Sequence, residues 1–340
     1  MGKISFYCKR FIEGAVGGLR RSVVSRNQVS TVEQGLIDQR FAKAVEQLGS
    51  DNVPLRIIGL NALKRIALQS PETDHVVAWH VISNFVLNSP YAEQQKRLHI
   101  QHSKAEMDTQ LVSSTRIHCP DLIFAISILL NPTAKQQQIQ HDQKYHFNLV
   151  AANFSYLQLV NIDFSNFDLR NSNFMHSDLK DANFACSELA GAQFTGADFN
   201  RAYLHDVDLR AADLSGADFS CAEMSEVNLC HAKLINTDLR DANLSGALLD
   251  QADLSGANLT EANLSHAEMY AANLSHAKLN EALLFDTKID GSDVSGADLS
   301  STISLTAQQL QSAYMDPDNP PQLPDEFKDM DFGIKQDQDD

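Results

Sequence analysis

No proline occurs between Pro132 and Pro317. So long a stretch without the one residue that lacks a backbone N–H suits a chain in which each N–H serves a hydrogen-bonded ladder. Cysteine is sparse too: five in 340 residues, an odd number, which argues against a disulfide framework and for a reducing compartment. No run of eighteen apolar residues appears, so no membrane-crossing helix is expected. The first residues lack the charged start, apolar stretch and small-residue cleavage site of a secretory signal. A cytoplasmic location is expected. Missing as well are a glycine-rich nucleotide loop, a nucleophile elbow and a paired zinc motif, so neither catalysis nor a cofactor is expected.

Positive charge is in deficit, with 27 Lys and Arg against 44 Asp and Glu, and the deficit is local. Residues 1–146 carry a net +5, residues 147–301 carry −15 and the remainder −7. An acidic body behind a mildly basic head favours solubility and disfavours direct nucleic-acid binding by the body.

What the body has in abundance is a period of five. From Leu149 to Leu299, every fifth residue is Leu, Phe, Met, Ile or Val, at all 31 steps. Two residues before each, 19 of the thirty positions from Ala152 to Ala297 are Ala and six are Ser or Thr. The slot between is outward and polar, Asp or Asn at 20 of 31 steps. On an α-helix five residues turn about 140°, which scatters the large residues round every face. On a strand five steps reverse the side, which sends alternate large residues into water. All of them point one way only if the chain turns a corner in every pentapeptide. Four corners close a coil of about 20 residues whose narrow lumen has room for one large and one small side chain per face. Gly191, Gly196, Gly216, Gly246, Gly256, Gly291 and Gly296 fall two residues after the large one, where a turn favours glycine. The coil is expected to be a rod of roughly 37 Å, with Phe154, Phe174 and Phe194 stacked on one side and Phe164 and Phe184 on the opposite one. Leu157, Ile162 and Phe167 take the small slot in the first repeats, which suggests a wider or distorted opening coil.

Stretches such as Ala252–Met269, ADLSGANLTEANLSHAEM, resemble the pentapeptide-repeat family. That resemblance implies a mainly β fold, a right-handed quadrilateral β-helix over 147–301. The Leu-Thr-x-x-Gln-Leu-x-x-Ala segment at Leu305–Ala313 resembles one that follows such coils in bacterial members, and it is read as a short C-terminal capping helix within 302–327. Thr306 caps it, Leu310 and Ala313 lie on it and Pro317 ends it. An acidic tail, 328–340, follows. Ahead of the coil, 31–146 reads as an α-helical domain, with helices over Val32–Leu48, from Asp51 and Pro54, over Asp74–Leu87 and over Asp121–Leu130. Residues 92–115 read as a surface helix or a long loop. This region resembles the helical N-terminal regions found beside pentapeptide repeats in bacterial proteins, and it is similar to HEAT-like helix pairs. Residues 1–30 form a basic amphipathic segment. Six basic residues and one acid in 1–26, with Ile4, Phe6 and Phe11 among them, allow peripheral membrane contact. Phe6 stands where myristoylation needs Ser or Thr.

Histidines in the repeats (His176, His205, His231, His266, His276) never stand one coil apart in the same slot, so no stacked metal site is expected. His99 with His102, and His118 beside Cys119, read as surface groups. Cys186, Cys221 and Cys230 read as small outward residues. The informative features are breaks in the polar exterior. Tyr203, Leu248 and Leu283 replace Asp or Asn before the large residue, and Ile235, Tyr270 and Phe285 follow it. Leu248, Tyr270, Leu283 and Phe285 are the candidate partner patch, unless the C-terminal segment covers them through Leu323 or Phe327. The leading reading is a non-enzymatic, protein-binding scaffold or adaptor that uses the coil faces and the helical domain. The family resemblance implies one alternative, an acidic DNA mimic acting on a type II topoisomerase. Against it, the cap removes the end-to-end dimer surface of such proteins, and they lack the helical domain. A membrane-associated regulator is the other alternative.

Overall fold

The computed structural model describes residues 31–69, 74–88, 90–104, 116–130, 149–330 and 332. The basic segment 1–30, most of the acidic tail and the side chain of His102 lie outside them. The chain divides into two units, one holding Met1–Arg97 and His118–Leu149, the other Leu98–Ile117 and Val150–Asp340.

The helices are α1 (Thr31–Leu48), α2 (Val53–Gln69), α3 (Asp74–Leu87), α4 (Ala92–Lys104), α5 (Pro120–Leu130) and α6 (Ala307–Ser312), followed by a 3-10 turn at Asp325–Phe327. The stretch 92–115 therefore begins with a helix, its polar sequence giving α4 no wholly apolar face to bury. None of the described helices is long and apolar enough to cross a membrane. In the helical unit α2 packs against α1, α3 and α5, and α3 against α5. Leu60, Leu63, Ile82, Leu122 and Ile126 are fully buried there, and burying each stabilises by about 1.5–3 kcal/mol. Within this core sits an ion pair. Arg56 Nε donates to Asp121 Oδ2 at 2.5 Å, Arg56 Nη1 to the Ser50 carbonyl at 2.9 Å, and the Tyr91 hydroxyl to Asp121 Oδ1. Burial, aided by the Asp121 carboxylate, pushes the Tyr91 phenol well above its ordinary pKa.

The coil unit has no continuous strand among its described residues. Its regular structure is a set of single-residue parallel bridges which, apart from those at the two ends, each join a residue to the one twenty further on. They run in four columns: from Asn153, from Gln158, from Asp163 and from Asp168. The bridge chemistry repeats at every step. Leu159 N–H donates to the Asp178 carbonyl at 2.8 Å, and Asp178 N–H donates back to the Leu157 carbonyl at 2.9 Å. Corners close through a third bond from the small residue to the preceding large one, as from Ala182 to Leu179 at 3.0 Å. The large residues fill the lumen: Phe154, Phe174 and Phe194 stack at 4.8 and 5.1 Å, and Phe164 lies 5.2 Å from Phe184.

Glycine is not what makes the corners. All thirty from Ala151 to Gly296 have φ between 52° and 70°, yet only seven are glycine. Left-handed backbone costs a residue with a Cβ about 1–2 kcal/mol, and ladder bonds on both sides of each corner hold it there.

Both ends of the coil are finished by chain that does not follow the period. At the start, Ile117 pairs in parallel with Leu157, its N–H donating to the Tyr156 carbonyl at 2.7 Å. Arg116 beside it meets Asp178 at 2.5 Å and Asp198 at 3.4 Å. The expected distortion is absent from the opening ladder, where Phe154 N–H reaches the Asn173 carbonyl at 2.7 Å. Leu157 and Ile162 are buried, because a terminal coil has an open lumen on one side that bulk can fill. At the far end, Thr306 caps α6 in a reciprocal pair with Gln309. Gln309 Nε2 donates to the Leu284 and Thr287 carbonyls at 3.0 and 2.8 Å, and Leu310 is fully buried. Tyr314 and Gln322 then pair with Asp293 and Asp298, extending two columns by one step.

Two stability outcomes follow. A Cβ at Gly216 meets nothing within 4 Å, so Gly216→Ala is expected to cost about 1 kcal/mol from its φ alone. Ala211→Gly, at the preceding corner, is expected to cost nothing or to stabilise, the reverse of its effect in a helix or strand; a loss in urea denaturation contradicts the strain argument. Asp121→Ala leaves the buried Arg56 unpaired and is expected to lower the stability of the helical unit by about 3–5 kcal/mol. Arg56→Met with Asp121→Leu should recover most of that loss, and thermal denaturation of the set measures it.

Candidate interaction surface

The outer surface of the coil is built from the two residues flanking each large one and from the corner. The Asp or Asn before the large residue does more than face water. The N–H just after the large residue has no place in the ladder, and the carboxylate or amide two residues earlier accepts it. Ser165 donates to Asp163 Oδ1 at 3.0 Å, Met175 to Asn173 at 3.0 Å, Ser220 to Asp218 at 2.9 Å and Ser255 to Asp253 at 3.1 Å. This is a local Asx bond repeated along each face.

A minority of the carboxylates on the coil are matched by cations. Arg170 grips Asp168 through Nε and Nη2 at 2.8 and 2.7 Å, and Arg210 grips Asp208 at 2.9 and 2.7 Å. These hydrogen bonds hold both carboxyls below the usual range. Arg201 reaches Asp181 one coil back at 2.7 Å, Lys180 reaches Asp198 at 2.9 Å, and Arg240 reaches Asp238 at 2.6 Å.

Leu283 and Phe285 lie on one face, in the column Asp163, Asn183, Tyr203, Glu223, Asn243, Asn263, Leu283, Ile303. Leu283 is half-buried, Phe285 is 55% exposed and Ile303, paired directly with Leu283, is 50% exposed. The His266 ring meets Phe285 edge-on at 5.4 Å, and His266 Nδ1 lies 3.1 Å from Asp286. Leu248 and Tyr270 lie on the adjoining face. There Leu248 pairs with Glu268 and Glu268 with Lys288. Lys288 Nζ sits 2.5 Å from Glu268 and 5.9 Å from the centre of the Tyr270 ring. The structure thus pairs Leu283 with Ile303, keeps exposed Phe285 two residues from Leu283, and sets Leu248 and Tyr270 beside an ion pair.

Ile303 lies beyond Leu299, where the run of large residues at every fifth position stops, Ser304 taking the next step. Continuing the five-residue step places it in the slot of Leu283. The described part of the C-terminal segment does not cover the area. Phe327 is buried and Leu323 half-buried, and they follow Gln322, which pairs with Asp298 in a different column.

Leu283 has a local cost. With no oxygen at that position, the Phe285 N–H has no acceptor among the described residues. The same substitution at Leu248 leaves the Asp250 N–H in the same condition. Coil stability alone therefore does not account for either leucine.

Elsewhere, Cys186 and Cys221 are exposed, Cys230 is half-buried and Cys119 is buried. His99 and His118 are exposed. Among the described residues no group of three or more His, Cys, Asp or Glu is placed to hold a metal ion.

The family model described as pentapeptide repeats matches in eight copies, over residues 148–185, 187–221, 222–260, 237–275 and 267–303. No curated protein matches the chain. Among solved structures, the chain is similar to the pentapeptide repeat protein Rfr23 from the cyanobacterium Cyanothece 51142, at 36% identity over 28% of this chain, with a TM-score of 0.26. It spans 63% of the length of that protein. It is similar to HetL from Nostoc sp. strain PCC 7120, a pentapeptide repeat protein involved in heterocyst differentiation regulation, at 26% identity over 56% of this chain and 99% of that one, with a TM-score of 0.30. It is similar to alr5209, a pentapeptide repeat protein also from Nostoc PCC 7120, at 33% identity over 35% of this chain and 84% of that one, with a TM-score of 0.23. With its five-residue period, its four columns of bridges and this family match, the chain belongs to the pentapeptide-repeat family.

Proposed function

We propose that the protein is a non-enzymatic scaffold of the cytoplasm that holds protein partners on the faces of a right-handed coil and on its helical unit. The observation that carries this reading is the apolar area of Leu283, Phe285 and Ile303. Exposed apolar side chains stand there in a slot where the fold makes use of a hydrogen-bonding oxygen, so the coil gives up a local bond to present them. Leu248 and Tyr270, on the adjoining face beside the Glu268–Lys288 ion pair, form no part of that area. Against the DNA-mimic alternative, the carboxylates do not form an unbroken phosphate-like row: Arg116, Lys180 and Arg240 meet Asp178, Asp198 and Asp238 in a single column. The membrane alternative rests on residues 1–26, which lie outside the described residues.

Leu283→Asn restores the missing acceptor, so it is expected to hold or raise coil stability, by about 0.5–1.5 kcal/mol, while weakening binding. Combined with Phe285→Ser, it should remove at least one partner that the unchanged protein retains when immobilised in extract. Identical retained sets, with both proteins folded, sink the reading of this surface. Inhibition of supercoiling by a type II topoisomerase at stoichiometric protein would move the assignment to the mimic.

A further inference from the structure

The helical unit carries a second surface of different chemistry. On α1, Arg40, Lys43 and Gln47 recur at i, i+3 and i+7; on α2, Ile58, Asn61 and Arg65 recur at the same spacing. The two stripes line a groove of about 700 Å³, a volume in the range of ligand-binding clefts. The floor is apolar, formed by Ala44 and Ile66, which are 1% and 4% exposed. Gly59 sets how closely the helices meet, since a Cβ there would lie 2.6 Å from the Ala44 carbonyl oxygen. Ile58 stands 51% exposed at the rim, and exposed Leu36 and Leu55 lie on the same two helices. No carboxylate lines the groove. The three cations are all exposed, and none has an ion pair among the described residues. In an acidic chain with net charge −17, three unpaired cations around an apolar floor form a local field of the opposite sign.

We infer that the α1–α2 groove is a docking site for an acidic amphipathic helix of a partner protein, apolar anchors on Ile58 and the floor, carboxylates on Arg40, Lys43 and Arg65. The charge pattern selects this occupant. An apolar stripe flanked by acids fits a recessed apolar floor between basic rims. A single phosphate would need the cations to converge on one point, whereas here they are spread along two helices. A membrane surface is flat and would not reach a floor this buried. The inference depends on the scaffold reading only for the class of ligand, and it uses a surface separate from the coil faces.

The test is fluorescence anisotropy on the full-length protein. The probe is a fluorescein-labelled peptide of about 16 residues with leucines at i, i+3, i+4 and i+7 and glutamates between. Saturable binding is expected, at least tenfold weaker for Arg40→Glu with Arg65→Glu, and likewise weaker for Ile58→Asp. A lysine version of the peptide should not bind, and Leu283→Asn with Phe285→Ser should leave binding unchanged. Circular dichroism confirms that each variant is folded. The inference is overturned by absent saturation with the unchanged protein, by equal binding to the charge-reversed variant, or by charge-dependent binding to phosphatidylserine vesicles without binding to the peptide. Failure here with the coil-face partners retained removes the groove alone; loss of the coil-face reading leaves this result standing.

Discussion

The coil depends on one exchange: each large residue donates its N–H to the next coil, and its neighbour donates to the coil before, at bond lengths of about 2.6–3.1 Å along the length of the unit. A parallel pair ordinarily needs a long crossover connection. Here the crossover is the coil itself, and the next strand lies twenty residues on by way of four corners. The left-handed corners, the alternation of large and small side chains inside and the lack of proline all follow from keeping that exchange unbroken. The corners pay a local strain, and the ladder outweighs it because each corner is held from both sides.

The same exchange decides what the faces offer. Coil backbones lie about 4.8 Å apart, so the outward side chains stand in straight columns with little depth between them. Asp and Asn suit the columns because they absorb the one N–H per pentapeptide that the ladder leaves out, and Arg suits them because its planar fork spans a carboxylate on the same or the next coil. Such a surface resists forming a cleft and favours broad contact with another macromolecule. A side chain that gives up the Asx bond, as Leu283 does, stands out chemically against that background. The helical unit follows other rules. Its apolar residues pack in three dimensions, and its buried Arg56–Asp121 pair is held by two further partners, the Ser50 carbonyl and the Tyr91 hydroxyl.

Much of this was legible in the residues. The lumen, the stacked phenylalanines, the Thr306 cap and the helices α1, α2, α3 and α5 are local or periodic, and their signals lie within a few residues of the elements they specify. The C-terminal pairings were not legible, because Tyr314 and Gln322 follow their partners by 21 and 24 residues, off the period that made the rest readable. Ile117 was hidden for another reason, since it joins the coil from outside the repeats, ahead of their start at Leu149. The candidate patch was half legible. Its residues were visible as departures from a pattern, but whether Leu323 or Phe327 lay over them depended on which column the C-terminal segment chose to extend.

The sequence by itself determined that the chain must turn every five residues and which side chains must face the lumen, because periodicity is a local property that no distant contact can alter. Only the tertiary structure decided which outward residues are neighbours, how the coil is closed and where its apolar surface remains open. Those depend on contacts between residues twenty or more positions apart, and on end segments whose pairing obeys no repeat.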